Sequence, residues 1–306
     1  MELTLPKRNL GLTGFEVSPI GIGTGALAAV PSVTDKRAGD DLAVETLRTA
    51  FSSGINYIDT SPGYRNGDSD RRVGLALEDG WRERVVLATK VGSHPERLRD
   101  FSGSTTTWTV EKSLEALGTD VIDVVLVHDP DDMTPVLRED GALVALEKLK
   151  SEGTIRAIGL GVQNHGHLRI AIESGRFDLV QSPYDYNLLR TTSQPLMALA
   201  ASHNVGFVNA SPFAAGLLAG IDPDDIVDLR AATNMWSPRS KDVDRARALW
   251  GWAKGYGVNL RTLALQFCLR ERLIATTLIG PRTPTDVLEG VAAATEPIPE
   301  GDWAAL

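Results

Sequence analysis

Three polar side chains stand where apolar, strand-length runs of this chain come to an end: Asp59 in INYIDT, Lys90 in LATKVG and His128 in VLVHDP. A fourth, Tyr64, lies five residues beyond Asp59 in SPGYRNG, a segment built from the turn formers Pro, Gly and Asn. A lysine within an apolar strand is costly to bury alone, so Lys90 requires an acid, and Asp59 is the carboxylate one strand away at the same level. A phenol with a pKa of ~10 is a poor acid or base at neutral pH. A buried ammonium beside it is expected to lower that pKa, while the carboxylate keeps the lysine charged. His128, on the far side, can orient an oxygen or share a proton. These four types together serve the protonation or deprotonation of an alcohol or carbonyl oxygen. Each alone has a plainer reading: Asp59 as a turn cap before Pro62, His128 as a hydrogen-bonded core histidine, Tyr64 as a loop aromatic. Their joint placement at consecutive strand ends sets those readings aside.

Such a set works only if the strands lie side by side. Eight apolar runs recur, at 17–25, 55–60, 84–92, 121–129, 155–162, 177–184, 205–213 and 275–281, with helical patterns such as LAVETLRTAFSSG, GALVALEKLKSEG and LRTLALQFCLRE between them. Several helices end at glycine, which most easily takes the left-handed C-cap conformation. Nearly continuous apolar strands separated by helices describe an α/β protein with a parallel sheet buried on both faces, and eight strands close a (β/α)8 TIM barrel of ~250 residues. The rest of the 306 residues fits an N-terminal β-hairpin, long loops and a tail, so one barrel domain is expected over 1–306. The competing architecture is an open doubly wound sheet. GIGTGAL offers it a Gly-x-Gly, but neither the third glycine nor an acidic residue after the second strand follows. In a barrel, chemistry gathers at the carboxyl ends of the strands. There Asn164 closes the fifth run, Gln181 follows the sixth and Ser211 lies past the seventh.

Composition narrows the partners. A net charge of −9 argues against nucleic acid, which is bound through clustered Lys and Arg. No apolar run approaches the ~20 residues that span a bilayer, and MELTLPKRNL lacks the apolar core of a signal peptide, so a cytoplasmic protein without membrane contact is expected. The single cysteine, Cys268, reads as a buried structural thiol. His165 and His167 in NHGHLR, with no cysteine cluster, read as polar residues at a helix entry, and no metal is expected.

From KRNLGLTGFEVSPIGIGTG to LIGPRTPTDVLEGVAAA, through GINYIDTSPGYRNGDSDRRVG, LATKVG, SLEALGTDVIDVVLVHDP, LKSEGTIRAIGLGVQN and VQSPYDYNLL, the chain resembles the aldo-keto reductases. The resemblance implies a nicotinamide cofactor bound in extended form and a catalytic tetrad falling on Asp59, Tyr64, Lys90 and His128. It further implies cofactor contacts from Gly23, Thr24 and Asp59 at the first two strands. Asn164 and Gln181 fall where the carboxamide is held, with Gln163 replacing the usual serine. Ser211, Phe213, Gly216 and Leu217 follow the seventh strand, and Gly280, Arg282, Asp286 and Glu289 the eighth.

Two departures stand out. Ala210 occupies the place of a tyrosine that stacks on the nicotinamide. Asp286 and Gly290 occupy the places of the Arg and Asn that commonly bind the phosphorylated cofactor. A carboxylate repels a 2′-phosphate but can accept a hydrogen bond from a free ribose hydroxyl, which implies NAD over NADP.

LPKRNLGLTG, HDPDD, DFSGSTT and NASPFAAGLL are similar to the branch of sugar dehydrogenases acting on L-fucose, D-threo-aldoses and L-galactose, which oxidise an anomeric hydroxyl to a lactone. On that resemblance Tyr64 and His128 contact the substrate, and Trp108, read as part of the loop after the third strand, either stacks on the sugar or covers the barrel rim. The alternatives are a carbonyl reductase of aldehydes and ketones, a pyridoxal dehydrogenase-like enzyme, and a non-catalytic regulatory barrel, the last disfavoured by four intact positions. The partner is in each enzymatic case a small molecule. Monomer and homo-oligomer both stay open.

Overall fold

The computed structural model describes residues 5–30, 34–232, 239–299 and 303. Strands β1 (Arg8–Asn9) and β2 (Glu16–Val17) form an antiparallel hairpin. They are followed by β3 (Ile20–Gly23), β4 (Tyr57–Asp59), β5 (Val86–Val91), β6 (Ile122–His128), β7 (Ile155–Gly161), β8 (Leu179–Pro183), β9 (Gly206–Ala210) and β10 (Thr276–Ile279). These eight pair in parallel and close into a barrel in the order β10-β3-β4-β5-β6-β7-β8-β9. They are the eight apolar runs of the sequence, each trimmed where the run continues into a loop.

Continuous apolarity hides an alternation that the barrel makes explicit. Tyr57, Val86, Ala88, Val124, Leu126, Leu179 and Val208 fill the lumen, while the intervening Ile58, Leu87, Val125, Val127, Val180 and Phe207 face the helical layer. That layer comprises α1 (Lys36–Ser52), α2 (Asp68–Leu77), α3 (Gly103–Leu117), the short α4 (Thr134–Leu137), α5 (Ala142–Ser151), α6 (His165–Glu173) and α7 (Gln194–Ser202). After β9 the chain makes an excursion through α8 (Pro223–Ala232) and α9 (Ser240–Tyr256) before α10 (Leu260–Arg270), and α11 (Pro284–Thr295) follows β10. Side-chain caps start several of them: Ser102 accepts from Thr105 N, Asn259 from Arg261 N and Thr262 N, and Thr283 forms a capping box with Asp286. Among the described residues no helix is long and apolar enough to cross a membrane.

The hairpin closes the amino-terminal mouth of the barrel. Leu10 and Val17 join the lumen cluster. The Arg8 guanidinium donates to the carbonyls of Leu269, Glu271 and Ile274 at 2.6, 3.0 and 2.7 Å, tying β1 to the end of α10. Chemistry is thereby left to the opposite mouth. Gly11 is the tightest point of the plug. Its φ is +56°, and a Cβ there would lie 2.5 Å from the Gly206 nitrogen and 2.8 Å from the Asn204 oxygen, both backbone atoms with no rotamer to yield. Gly11→Ala is therefore expected to lower the unfolding free energy by about 1–3 kcal/mol, measured by urea denaturation; an unchanged midpoint would show that the plug yields instead.

Candidate active site

Strand parity delivers the three polar residues to one place. Asp59 lies two positions beyond Tyr57, Lys90 two beyond Ala88 and His128 two beyond Leu126, so all three continue lumen-facing columns to the carboxyl mouth. Gln181 does the same beyond Leu179; it lies within β8 rather than after it. Lys90 Nζ donates to Asp59 Oδ2 at 2.7 Å and to the Thr60 carbonyl at 2.8 Å, and the lysine has no exposed surface.

Tyr64 reaches the group through a tight turn. Gly63 rests directly on the loop after β5, where a Cβ would lie 2.5 Å from the Ser93 oxygen, and the Ser61 and Ser93 hydroxyls meet at 2.8 Å. Arg65, Asn66 and Gly67 then all take positive φ, at 51°, 56° and 93°, and α2 begins at Asp68. The phenol ring is thereby folded back over the mouth. Lys90 Nζ lies 4.6 Å from its centroid, and the His128 ring meets it edge-on at 5.6 Å and 83°. The geometry brings together all four side chains singled out in the sequence.

Burial governs their charge states. Burial pushes the Asp59 pKa up, against the pull of Lys90 and the Gln181 amide. For Lys90, burial acts downward, but the charge and hydrogen bond of Asp59, with Tyr64, outweigh it and raise the pKa, so the ammonium stays charged. His128 is lowered to about 3 by burial and by Lys90, which leaves a neutral imidazole. Tyr64 departs from expectation. Burial raises its pKa and outweighs Lys90's downward pull, which Asp59 also opposes. The lysine acts in the expected direction, but loss of hydration of the phenolate is the larger effect, and the phenol remains a proton donor. Asp129, which sequence reasoning passed over, has φ +44° and places a carboxylate oxygen 3.6 Å from His128 Nε2. Its signal was its position immediately after the strand-end histidine.

The rest of the mouth has the features that a flat polar ring requires. Gly23, Gly161, Ala210 and Gly280 line it with almost no side chain; a Cβ at Gly23 or Gly280 would meet nothing closer than 3.7 or 3.9 Å. Around this space Thr24 Oγ1, Asp59 Oδ1, His128 Nδ1 and Gln181 Oε1 are buried without hydrogen-bond partners. Orphaned polar atoms beside residues with so little side chain suit a nicotinamide and its carboxamide. Past β9, Ser211, Ala214 and Ala215 adopt positive φ at 65°, 46° and 61°, a cost of order 1–3 kcal/mol each that is characteristic of ligand-gripping loops.

Other expected contacts look different in three dimensions. β7 ends at Gly161, and Asn164 lies three residues on as the N-cap of α6, its Oδ1 accepting from Gly166 N and His167 N at 2.9 and 3.2 Å. His165 does stand at this helix entry, its Nε2 3.0 Å from Asp185. Asp286 Oδ2 accepts from Arg282 N and Thr283 N at 2.8 and 3.1 Å, and Glu289 pairs with Arg261. Phe213 is half-buried, and the Leu217 side chain is wholly in the core with α9 and α10. Trp108 is not in a loop but within α3. His94 packs on its ring at 4.5 Å and the Arg97 guanidinium lies 4.1 Å from its centroid, so the indole clamps the segment after β5.

Residues 19–306 match the Aldo/keto reductase family, and the chain belongs to it. It is an oxidoreductase of the type that uses nicotinamide cofactors. It is 34% identical to L-galactose dehydrogenase of Arabidopsis thaliana, over 94% of this chain and 88% of that protein. To the NADH-specific methylglyoxal reductase of Escherichia coli it is 32% identical, over 97% and 96%. D-threo-aldose 1-dehydrogenase of a Pseudomonas species shares 30% over 87% of each. Among solved structures, the holo form of an aldo-keto reductase from Bacillus halodurans superposes with a TM-score of 0.77 at 27% identity, covering 97% of this chain and 94% of that one.

The neutral His128 has a consequence for stability. An unfolded histidine takes up a proton near pH 6.5, the folded one only near 3. Between these values the unfolded state binds more protons, so stability falls as pH is lowered, by up to about 1.4 kcal/mol per pH unit. His128→Gln is expected to flatten the decline of unfolding free energy between pH 6.5 and 4, measured by urea denaturation; equal slopes would mean that the imidazole is solvated.

Proposed function

We propose that this enzyme oxidises the anomeric hydroxyl of a free aldose to the lactone, with Tyr64 as general acid/base. The observation that carries the reading is the convergence of Lys90 on both Asp59 and the Tyr64 ring at the open barrel mouth. Tyr64 takes the anomeric O–H proton as the carbon becomes a carbonyl. Tyr64 does this as the phenolate, formed by prior loss of its proton and stabilised by Lys90, which Asp59 holds charged, and neutral His128 orients the substrate oxygen through a ring N–H. The bound nicotinamide supplies the two-electron hydride acceptor. Gln181 and the amide nitrogen of Asn164, whose Oδ1 caps α6, would hold its carboxamide. Gly23, Thr24, Ser211, Phe213, Gly216, Leu217 and Gly280 would line its path, and Arg282, Asp286 and Glu289 its far end. The likeness to L-galactose dehydrogenase and D-threo-aldose 1-dehydrogenase supports the substrate class.

NAD is the proposed cofactor, because the Asp286 carboxylate would meet a 2′-phosphate with like charge. The relative named as NADH-specific supports this. A second reading has its own observation: a phenol held protonated is already set to donate to a carbonyl oxygen, so reduction of small aldehydes or ketones suits the same site.

Cofactor absorbance across free aldoses at alkaline pH, with NAD and with NADP, separates these. Turnover of an aldose is expected, with kcat/KM for NAD at least about tenfold higher, equivalent to ~1.4 kcal/mol. Silence with every sugar alongside consumption of NADH with methylglyoxal would establish the reductase reading, and a preference for NADP would refute the role given to Asp286. Tyr64→Phe is expected to lower kcat by about 10²–10⁴ while cofactor affinity, read from tryptophan fluorescence, stays nearly unchanged.

A further inference from the structure

One buried carboxylate takes no part in this chemistry. Asp70, in the first turn of α2, is 1% exposed, and among the described residues no cation pairs with it. Three hydroxyls from three elements hold it instead. Thr60 Oγ1, just past β4, donates to Oδ1 at 2.9 Å, while Thr89 Oγ1 in β5 and Ser113 Oγ in α3 donate to Oδ2 at 3.2 and 2.9 Å. Strand parity gives the cluster its meaning. Thr60 follows Asp59 and Thr89 precedes Lys90, so these hydroxyls point outward at the two positions whose neighbours point inward as acid and ammonium. The Thr60 carbonyl accepts from Lys90 Nζ at 2.8 Å, and the Thr60 N–H donates to the Ala88 carbonyl at 2.8 Å. The helix that carries Asp70 begins directly after the Tyr64–Gly67 turn. One carboxylate is thus linked to the chain segments carrying Asp59, Lys90 and Tyr64.

We propose that Asp70 is the positioning residue of the proton-transfer site: it clamps the ends of β4 and β5 from behind so that Lys90 Nζ stays between Asp59 and the Tyr64 ring. The inference rests on the reading of Tyr64 and Lys90 given above. A carboxylate is suited to the task because it accepts from all three hydroxyls without a proton of its own to place. An amide of the same shape offers one oxygen and turns N–H donors toward hydroxyls that must then reorient. Stability alone is a weak reason to keep it, since a buried ionisable group carries a desolvation cost that an apolar side chain avoids. Lys90 is the charged group that faces Asp70 across β5.

Heteronuclear NMR of the Lys90 ammonium, its resonance identified by loss in Lys90→Met, reads the clamp without substrate or cofactor. Asp70→Asn is expected to shift or broaden that resonance. With L-galactose and NAD, or methylglyoxal and NADH, as probes, it is also expected to lower kcat about 10- to 100-fold while KM changes little. Thr89→Val, which removes one hydroxyl at constant shape, should act in the same direction more weakly, and Thr89→Ser should restore the native signal. The Thr89 pair decides the question if Asp70→Asn does not fold. An unmoved Lys90 resonance in folded Asp70→Asn or Thr89→Val, or a lowered melting temperature without change in resonance or kcat, would overturn the proposal. Tyr64→Phe keeps the two readings apart: undiminished turnover there refutes the tetrad, whereas lost turnover there with a native-like Asp70→Asn refutes only the clamp.

Discussion

A lysine ammonium without exposed surface lies 2.7 Å from a carboxylate that is itself nearly buried, at the open end of an otherwise apolar barrel. Removing either partner of such a pair leaves an uncompensated charge, at a cost of about 3–5 kcal/mol, yet replacing both by apolar groups is often neutral or stabilising. Stability alone therefore does not account for the pair. What accounts for it is the field it creates where Tyr64 and His128 converge: a fixed positive charge in a low-dielectric mouth, with neutral hydrogen-bonding groups around it. The rest of the molecule holds that charge still.

Burial sets the working states of His128 and Tyr64, while Asp59 holds Lys90 charged against it. It keeps the imidazole of His128 neutral, so that one ring nitrogen can donate and the other accept. It also keeps Tyr64 protonated, which makes proton donation to a carbonyl oxygen the resting disposition and makes the dehydrogenation we propose depend on a base formed during turnover. In the proposed role the same phenol would serve both directions, and solvation decides which form waits for substrate. The sequence identifies Lys90 as the group acting on Tyr64 but not whether its charge outweighs desolvation of the phenolate. The relative size of those effects depends on how deeply the ring is packed, which no local pattern encodes.

Several residues expected to bind cofactor are also structural. Asn164 caps α6, Asp286 completes the capping box of α11, and Leu217 anchors the excursion after β9 in the core. A helix that starts just beyond a strand end needs a cap at the same mouth where a ligand needs polar groups, so one side chain would serve both in the proposed reading. Trp108 shows the opposite case. Its place in the sequence suits a sugar-stacking surface and a cover for the barrel rim equally, and only the fold shows that α3 begins at Gly103 and turns the indole against His94 and Arg97.

What the amino-acid order determined by itself is the set of elements and the chemistry at their ends. Eight apolar runs, their glycine and cap signals, and the interruption of three consecutive runs by Asp59, Lys90 and His128 follow from solvation and backbone preference, which act over a few residues. Only the closed barrel decided which side chains of those runs point inward, because parity is invisible in a strand that is apolar on both faces. Tertiary structure alone also revealed the Thr60–Thr89–Asp70 cluster behind the ion pair. Its members belong to separate strands and a helix, and their hydroxyls and carboxylate become partners only when barrel closure places the outer faces of β4 and β5 under α2.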